Sequence, residues 1–437
     1  MITLIEAKNY RCLRYVCQRL EPFQILVGPN ASGKTTFLDV IAFLGDFLSK
    51  GLLAAIHSRT NNFHDLLWWG KGNGFQLAVE AAIPDHLRTR LRDKNNKTVR
   101  YEIDLQFDEI NQAIIIQTEK VLLKSADSKP SNHHQQLGLF PDFSGSPETI
   151  VSPTRAKGTT VVLNKVPNGN DNFYSEVYKD KGKGWAPSFK LGPQKSALAN
   201  LPADDENFPV TSWLKDLLTA NVTQLMLNSM LIRQASPPGQ GRLFKADGSN
   251  LPWMVEHLKK SAPNRFEQWL DHLRTALPDL KNILTVERED DRHRYLKLTY
   301  AGGYDIDIPP SLVRDEEGVD VPSWLVSDGT LRLIALSILA YLPDFSGVYL
   351  IEEPENGIHP RAVDTLFQSL SSIYDAQILV ATHSPIVLSM VDAKNVLCFA
   401  KTENGEVDIV KGNEHPALRD WKGDSNLGVL FAGGVLG

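Results

Sequence analysis

The sequence predicts an α/β protein built on a buried, largely parallel sheet with helices on its faces. Three observations carry that expectation. A continuous apolar run, Phe23–Val27, leads through a Gly-rich loop into a segment whose apolar residues recur at helical spacing. Towards the C-terminus, segments alternate in the order helix, strand, helix, strand. Between these ends lie three further, consecutive strand-like segments.

Taken in order, Ile2–Tyr10 reads as the first strand and Phe23–Val27 as the second. After the loop, Phe37, Val40, Ile41, Leu44, Phe47 and Leu48 mark one face of a helix, and Gly51 is placed to end it. Residues 75–83, 99–107 and 113–123 read as strands. A basic stretch with Arg88, Arg90, Arg92, Lys94, Lys97 and Arg100 falls around the start of the second of them. From Ser125 to about Glu206 the chain is rich in Ser, Pro, Gly, Asn and Lys, with short apolar islands such as Val161-Val162-Leu163. That composition predicts an insertion dominated by loops. Helices are expected over 210–231 and 251–277, then strands over 283–287 and 294–300. The C-terminal block reads as helix 330–342, strand 348–351, helix 361–373 and strand 377–381, with Pro360 at a natural first helical position. A last strand over 395–399 precedes a Gly-rich tail, and the chain shows no internal repeat and no sustained heptad.

Bulk properties narrow the function classes. With 437 residues, the chain can bury a large core without disulfide or metal staples. The net charge of −6 gives no global attraction to nucleic acid or anionic membrane, so any such contact needs a local patch. Cys12, Cys17 and Cys398 form no ligand-spaced cluster, which fits inert thiols in a reducing compartment. The N-terminus lacks a basic region followed by an apolar core, so no export signal is expected. The longest apolar stretch, 331–342, contains Arg332 and falls short of the ~18 residues of a membrane span. A cytoplasmic protein without membrane contact is expected.

Four pieces carry chemistry. Gly28-Pro29-Asn30-Ala31-Ser32-Gly33-Lys34-Thr35 fits G-x-x-x-x-G-K-[ST] without mismatch, between a buried strand and a helix. Glycines there let backbone N–H groups close around phosphate, and the helix N-terminus adds partial positive charge. Lys34 would reach the β- and γ-phosphates of ATP, and the Thr35 hydroxyl would take a position on Mg²⁺. Second, the apolar strand Val348-Tyr349-Leu350-Ile351 ends in Glu352-Glu353. Glu352 is expected on Mg²⁺, through its water shell, and Glu353 to orient the attacking water or accept its proton. Third, His383 in Thr382-His383-Ser384-Pro385 follows a strand, where ligands collect in open α/β sheets. It could hydrogen-bond the γ-phosphate or the nucleophilic water. Fourth, Ser327-Asp328-Gly329-Thr330 opens a helix and makes a second phosphate-binding corner, while an N-cap role for Ser327 or Asp328 is the plainer alternative. Glu352/Glu353/Glu355, His133-His134 and Asp204-Asp205-Glu206 also invite a metal reading, but the first group is accounted for by ATP-Mg²⁺ and the others are expected to be solvated loops. Trp68-Trp69 beside Gly70 could face a base or a partner, while core packing or an interface is the plainer expectation.

These pieces, in this order, resemble the ABC-type ATPases of the SMC, RecF and OLD class. More closely they resemble the ABC-like "AAA family" ATPases of bacterial anti-phage operons, of the Septu and PARIS kind. The carrying strings are Lys8-Asn9-Tyr10-Arg11, the loop from Gly28 through Thr36, Asp247-Gly248-Ser249-Asn250-Leu251, Ser327-Asp328-Gly329-Thr330-Leu331-Arg332, Ile351-Glu352-Glu353-Pro354-Glu355-Asn356-Gly357-Ile358-His359-Pro360 and Ala381-Thr382-His383-Ser384-Pro385. The likeness implies an ABC-type P-loop ATPase head, a mixed sheet plus an antiparallel β subdomain with helices on the faces. An α/β and loop-rich region would be inserted, without a long coiled coil. On this scheme residues 1–124 form an N-terminal ATPase lobe, 125–280 the insertion, and 281–437 a C-terminal lobe with the signature, the acid-ended strand and the histidine switch.

The resemblance also implies that Ser327, Asp328 and Gly329 contact ATP held by a second protomer, so that the working unit is a homodimer or higher oligomer. Arg11 would reach a phosphate, and the Asn356-to-His359 turn would join the contact across the dimer. Ser-Asp-Gly-Thr in place of a transporter's Ser-Gly-Gly-Gln argues against a transporter subunit, and no Q-loop glutamine can be chosen among Gln76, Gln106 and Gln117. About 50 residues follow His383, at the lower limit of a common domain, so any nuclease is expected on a separate chain. The function expected is slow ATP hydrolysis that senses infection or DNA state and regulates a separate effector, a nuclease, in phage defence. The alternative is an SMC/RecF-like DNA-binding ATPase of repair or chromosome maintenance, with the basic stretch as its support.

Overall fold

The computed structural model describes residues 1–125, 146–153, 156–167, 169–177, 187–241, 243–301, 314–315 and 318–415. The chain begins with β1 (Ile2–Tyr10), β2 (Leu13–Arg19), β3 (Phe23–Val27), α1 (Lys34–Lys50), α2 (Leu52–His57), β4 (Gly74–Ala82), α3 (Asp85–Arg88), β5 (Asn96–Asp108) and β6 (Ala113–Ser125). It continues through β7 (Thr159–Lys165), β8 (Asp171–Phe173), β9 (Ser188–Phe189), α4 (Pro209–Ala220), β10 (Val222–Leu225), α5 (Ser229–Arg233), α6 (Leu251–Ser261) and α7 (Pro263–Ala276). The remaining elements are β11 (Leu280–Glu287), β12 (Arg294–Tyr300), β13 (Arg314–Asp315), β14 (Gly318–Pro322), α8 (Asp328–Ser337), β15 (Gly347–Glu352), α9 (Pro360–Ser371), β16 (Ala376–Thr382), α10 (Pro385–Leu388), β17 (Val396–Lys401) and β18 (Val407–Lys411). The fold is mixed α/β. Its longest described helix, α1, has 17 residues, so the described residues hold no long coiled-coil arm.

Two compact units emerge. The first takes the described residues of 1–21, 29–222 and 399–410, and the second those of 22–28, 223–398 and from 411 onward. In the first unit, eight strands form one antiparallel sheet in the order β2-β1-β4-β5-β6-β7-β8-β9. Strand periodicity divides its faces. On β5, Tyr101, Ile103 and Leu105 point one way, while Arg100, Glu102 and Asp104 point the other. An aromatic cluster of Tyr10, Phe43 and Phe75 fixes α1 to the unit, with ring centroids 4.9–5.8 Å apart. Helix α1 also meets α4 so closely that a Cβ on Gly45 would lie 2.6 Å from the Leu218 carbonyl oxygen, a crossing only glycine permits.

The polar face carries buried charge, which is tolerable only when paired. Arg100 donates to Glu6 at 2.7 Å, Glu102 at 3.2 Å and Glu80 at 3.3 Å. Residues 146–153 lie across this cluster: Arg100 donates to the Ile150 carbonyl, and the Ser152 amide donates to Glu102, each at 3.0 Å. Arg100 therefore belongs to the interior and not to an exposed basic face.

The second unit holds a sheet in the order β10-β15-β16-β3-β17, in which β15, β16, β3 and β17 run parallel. Helices α6 to α9 enclose a core centred on the fully buried Trp269, whose indole N–H donates to Ser337 at 2.9 Å. A smaller antiparallel sheet, β11-β12-β14-β13, joins the same unit.

Several elements differ from their sequence reading. The helix expected over 210–231 is three elements: α4 stops before Asn221, β10 follows, and Asn228 caps α5 by accepting from Met230 at 3.0 Å. The helix expected over 251–277 is broken where Pro263 starts α7, since proline cannot donate within a continuing helix. Strand β2 carries no strong apolar alternation and escapes the sequence reading. The apolar island at Val161-Val162-Leu163 forms β7, so part of the loop-rich stretch extends the first unit's sheet.

Candidate functional site

Register in the second unit sets one edge of the site. Glu352 pairs with Ala381 across β15 and β16, and Thr382 pairs with Val27 across β16 and β3. The acid-ended strand, the histidine turn and the strand feeding the Gly-rich loop therefore all leave the same, C-terminal edge of a parallel sheet, where such folds bind ligands.

The loop starts at Gly28, directly after β3. Ala31 (φ 62°) and Gly33 (φ 102°) take left-handed conformations that curl the backbone. Gly33 has a second reason to be glycine, because a Cβ there would lie 2.8 Å from Val407 and 3.3 Å from the Cys12 sulfur. The Ser32 amide and the Lys34 ammonium both donate to the Pro29 carbonyl, at 3.2 and 2.9 Å. Thr35 is exposed and Thr36 buried. Ser32 Oγ is buried with no hydrogen-bond partner among the described residues, an orphaned polar atom that a bound acceptor would satisfy. A curled backbone, an ammonium and hydroxyls form a donor set suited to phosphate.

At the sheet edge, Glu352 Oε1 accepts from Gln224 at 3.3 Å. The Glu353 amide donates to the Ala381 carbonyl at 2.8 Å, and the residue then turns left-handed at φ 47°. Its Oε1 lies 3.0 Å from His383 Nδ1, and its Oε2 accepts from the Asn356 side chain. Glutamate and histidine are half-exposed, so the pair stays reachable by a ligand or water. Glu355 accepts from the Thr382 hydroxyl, and burial raises its carboxyl above the ordinary range.

Ser327 is the N-cap of α8: its hydroxyl accepts from the Thr330 amide at 3.2 Å. It is also exposed, as is Asp328, so a second molecule can approach this corner. Asp328 takes two bonds from Arg233, at 2.7 and 3.0 Å. Gly329 packs on the turn after Glu355, where a Cβ would lie 2.2 Å from the Gly357 carbonyl oxygen. A cavity of about 750 Å³ opens beside this corner, lined by Met230, Arg233, Arg288 and Trp324 among others.

In the first unit, Arg11 (φ 51°) shares Asp39 with Tyr10 and Arg59; its own contact is the longest, 3.4 Å. Arg11, Cys12, Asp65 and Trp69 line a cavity of about 340 Å³, and Trp69 is 66% exposed in a left-handed conformation. Because the Cys12 sulfur lies 3.3 Å from where a Cβ on Gly33 would stand, this cavity adjoins the Gly-rich loop. Gln76 and Gln106 both donate to Asp104 in the first unit's sheet. Asp204 closes a turn by accepting from Asn207 at 2.7 and 3.0 Å, while His133 and His134 lie outside the described residues. Among the described residues no three His, Cys, Asp or Glu side chains converge as a metal centre. Sequence reasoning assigned no role to the Glu355–Thr382 contact or to Arg233, because each joins segments that only the fold brings together, nor to the local Asn356–Glu353 contact, which depends on the turn taken after β15.

Comparison with known proteins adds what this chain is similar to. A model described as "AAA ATPase domain" matches residues 1–181, and one described as "AAA domain, putative AbiEii toxin, Type IV TA system" matches 239–389. The Old nuclease of Escherichia phage P2 is 29% identical over 106 residues, which cover 22% of this chain and 18% of that protein. The chain thus spans less than a fifth of that relative's length. Among solved structures, an Smc head bound to the C-winged helix domain of ScpA aligns over 94% of this chain and 96% of its own, at 12% identity and a TM-score of 0.48. The SMC head domain from Thermotoga maritima aligns over 94% and 98%, at 10% identity and a TM-score of 0.41. Matched over 1–181 and 239–389 by AAA ATPase-domain models and sharing a stretch with the Old nuclease, the chain is similar to ATPases of the ABC/SMC/OLD type.

Proposed function

We propose that this chain binds ATP with Mg²⁺, hydrolyses it slowly as a homodimer or higher oligomer, and regulates a separate effector of nuclease type in anti-phage defence. The observation supporting hydrolysis is the Glu353–His383 contact of 3.0 Å at the C-terminal edge of the parallel sheet. A carboxylate held on one oxygen by an imidazole and on the other by an amide is pre-oriented to direct a water molecule. Gly28, Pro29, Asn30, Ala31, Ser32, Gly33, Lys34, Thr35 and Thr36 have the motif roles of phosphate binding, with Arg11 reaching a phosphate. Thr35 and Glu352 are assigned to Mg²⁺, which when bound would neutralise phosphate charge. Ser327, Asp328 and Gly329 would close over ATP held by a second copy. The small cavity beside Trp69 and Arg11 is suited to stacking a base.

The test is Glu353→Gln. Phosphate release is expected to fall ~10²–10³-fold while equilibrium ATP binding stays within about twofold. A variant that hydrolyses ATP at the native rate would sink the assignment. Copurification of the trapped variant from its own operon tests the effector.

A DNA-binding ATPase remains the second reading, but its basic stretch is dispersed. Arg100 is buried, Arg88 pairs with Asp85 at 2.9 Å, and Arg90 donates to the Asp205 carbonyl at 2.9 Å. DNA affinity whose salt slope drops on Arg90→Ala and Arg92→Ala would favour it.

A further inference from the structure

Glu355 lies on the loop after β15, and Thr382 is the last residue of the neighbouring parallel strand β16. The fully buried Thr382 hydroxyl donates to Glu355 Oε1 and accepts from the Ser384 amide at 3.0 Å. A hydroxyl has one proton to give; once it goes to Glu355, the lone pairs remain for Ser384. The turn that presents His383 is thus closed at its base by a bond whose orientation Glu355 sets. The second tie between these strand ends is the Glu353 amide on the Ala381 carbonyl, at 2.8 Å. Between the two ties stand the groups that meet across them, Glu353 and His383. Glu355 Oε2 is buried without a hydrogen-bond partner among the described residues, a cost with no return in solvation.

We infer that Glu355 is a positioning residue, which holds His383 against Glu353 through the hydroxyl of Thr382. The inference rests on the hydrolytic reading of Glu353, and its test has a readout independent of turnover. Glu355→Ala and Thr382→Val are each expected to lower kcat ~10–100-fold with KM within about twofold, as a small misplacement of a reacting group does. Glu355→Gln keeps an acceptor and Thr382→Ser keeps a hydroxyl, so both should stay within about threefold of native turnover. In a His383→Ala background, Glu355→Ala should cost little more, because one removed contact cannot be lost twice. Losses that multiply instead would overturn the inference. Crystal structures of Glu355→Ala and Thr382→Val should show the His383 ring off Glu353; a retained contact overturns the inference whatever the turnover does. Should Glu355→Ala fail to fold, Thr382→Val carries each arm. A Glu353→Gln chain that hydrolyses ATP normally would remove the hydrolytic reading, while the crystallographic arm still decides whether Glu355 positions His383.

Discussion

Gly329 and Gly357 show how single atoms constrain this chain. Gly329 sits in the first turn of α8, where alanine would normally favour the helix. Its missing Cβ leaves room for the Gly357 carbonyl oxygen, which would lie 2.2 Å from that atom. No rotamer relieves a clash with backbone, so the turn must move. Gly329→Ala is therefore expected to destabilise the protein by ~1–3 kcal/mol, read as a fall of a few degrees in Tm. Because Asn356 in the same turn donates to Glu353, the variant should also turn over ATP more slowly. An unchanged Tm would show that the turn yields freely.

Helix α4 displays the chemistry of an element's end. Pro209 occupies its first turn, and the buried Glu176 accepts from the Val210 and Thr211 amides at 2.6 and 2.8 Å. Burial outweighs these bonds and raises the Glu176 carboxyl to about 7. The folded chain then keeps a proton that the unfolded chain releases near the ordinary carboxylate value, so this group's contribution to stability falls as pH rises through about 7. The Tm of the native chain relative to Glu176→Gln should accordingly decline between about pH 5 and 8. A difference constant across that range would contradict the linkage. The element scale also shows what sequence conveys. Strand β3, its loop and α1 were legible because a continuous apolar run, a glycine loop and a helical stripe are each local signals. The break at Asn221 was not, since Val222-Thr223-Gln224-Leu225 becomes a strand only by joining the sheet beside β15. Residues 146–153 are similar: they are held by Arg100 and Glu102, some fifty positions away. The acid pair and His383 were readable as types, but their contact needed the parallel register of β15 and β16.

For the whole molecule the proposed closure of one copy over ATP held by another is a matter of populations. If each bound ATP favours the closed dimer about a hundredfold, it contributes ~2.7 kcal/mol by mass action. Two such contributions approach the ~5.5 kcal/mol that turns a 1:99 equilibrium into 99:1. One ATP would leave open and closed forms nearly equal. Ser327 is exposed at the corner assigned to the second copy. Ser327→Arg in a Glu353→Gln background should therefore abolish ATP-dependent dimerisation in light scattering while leaving ATP binding by the single chain intact. A dimer that forms regardless would place the contact elsewhere.

The left-handed backbone at Glu353 has a consequence for how this protein can change. An L-amino acid in that conformation holds energy that glycine would release, ~1–2 kcal/mol by the usual steric penalty. Glu353→Gly should then melt no lower than the native chain, and higher if the side-chain bonds are weak, while losing hydrolysis altogether. Selection for robustness alone would replace Glu353 and, with it, the hydrolysis proposed for this position. On the proposed hydrolytic role, the strained turn is what a carboxylate at this place costs the fold.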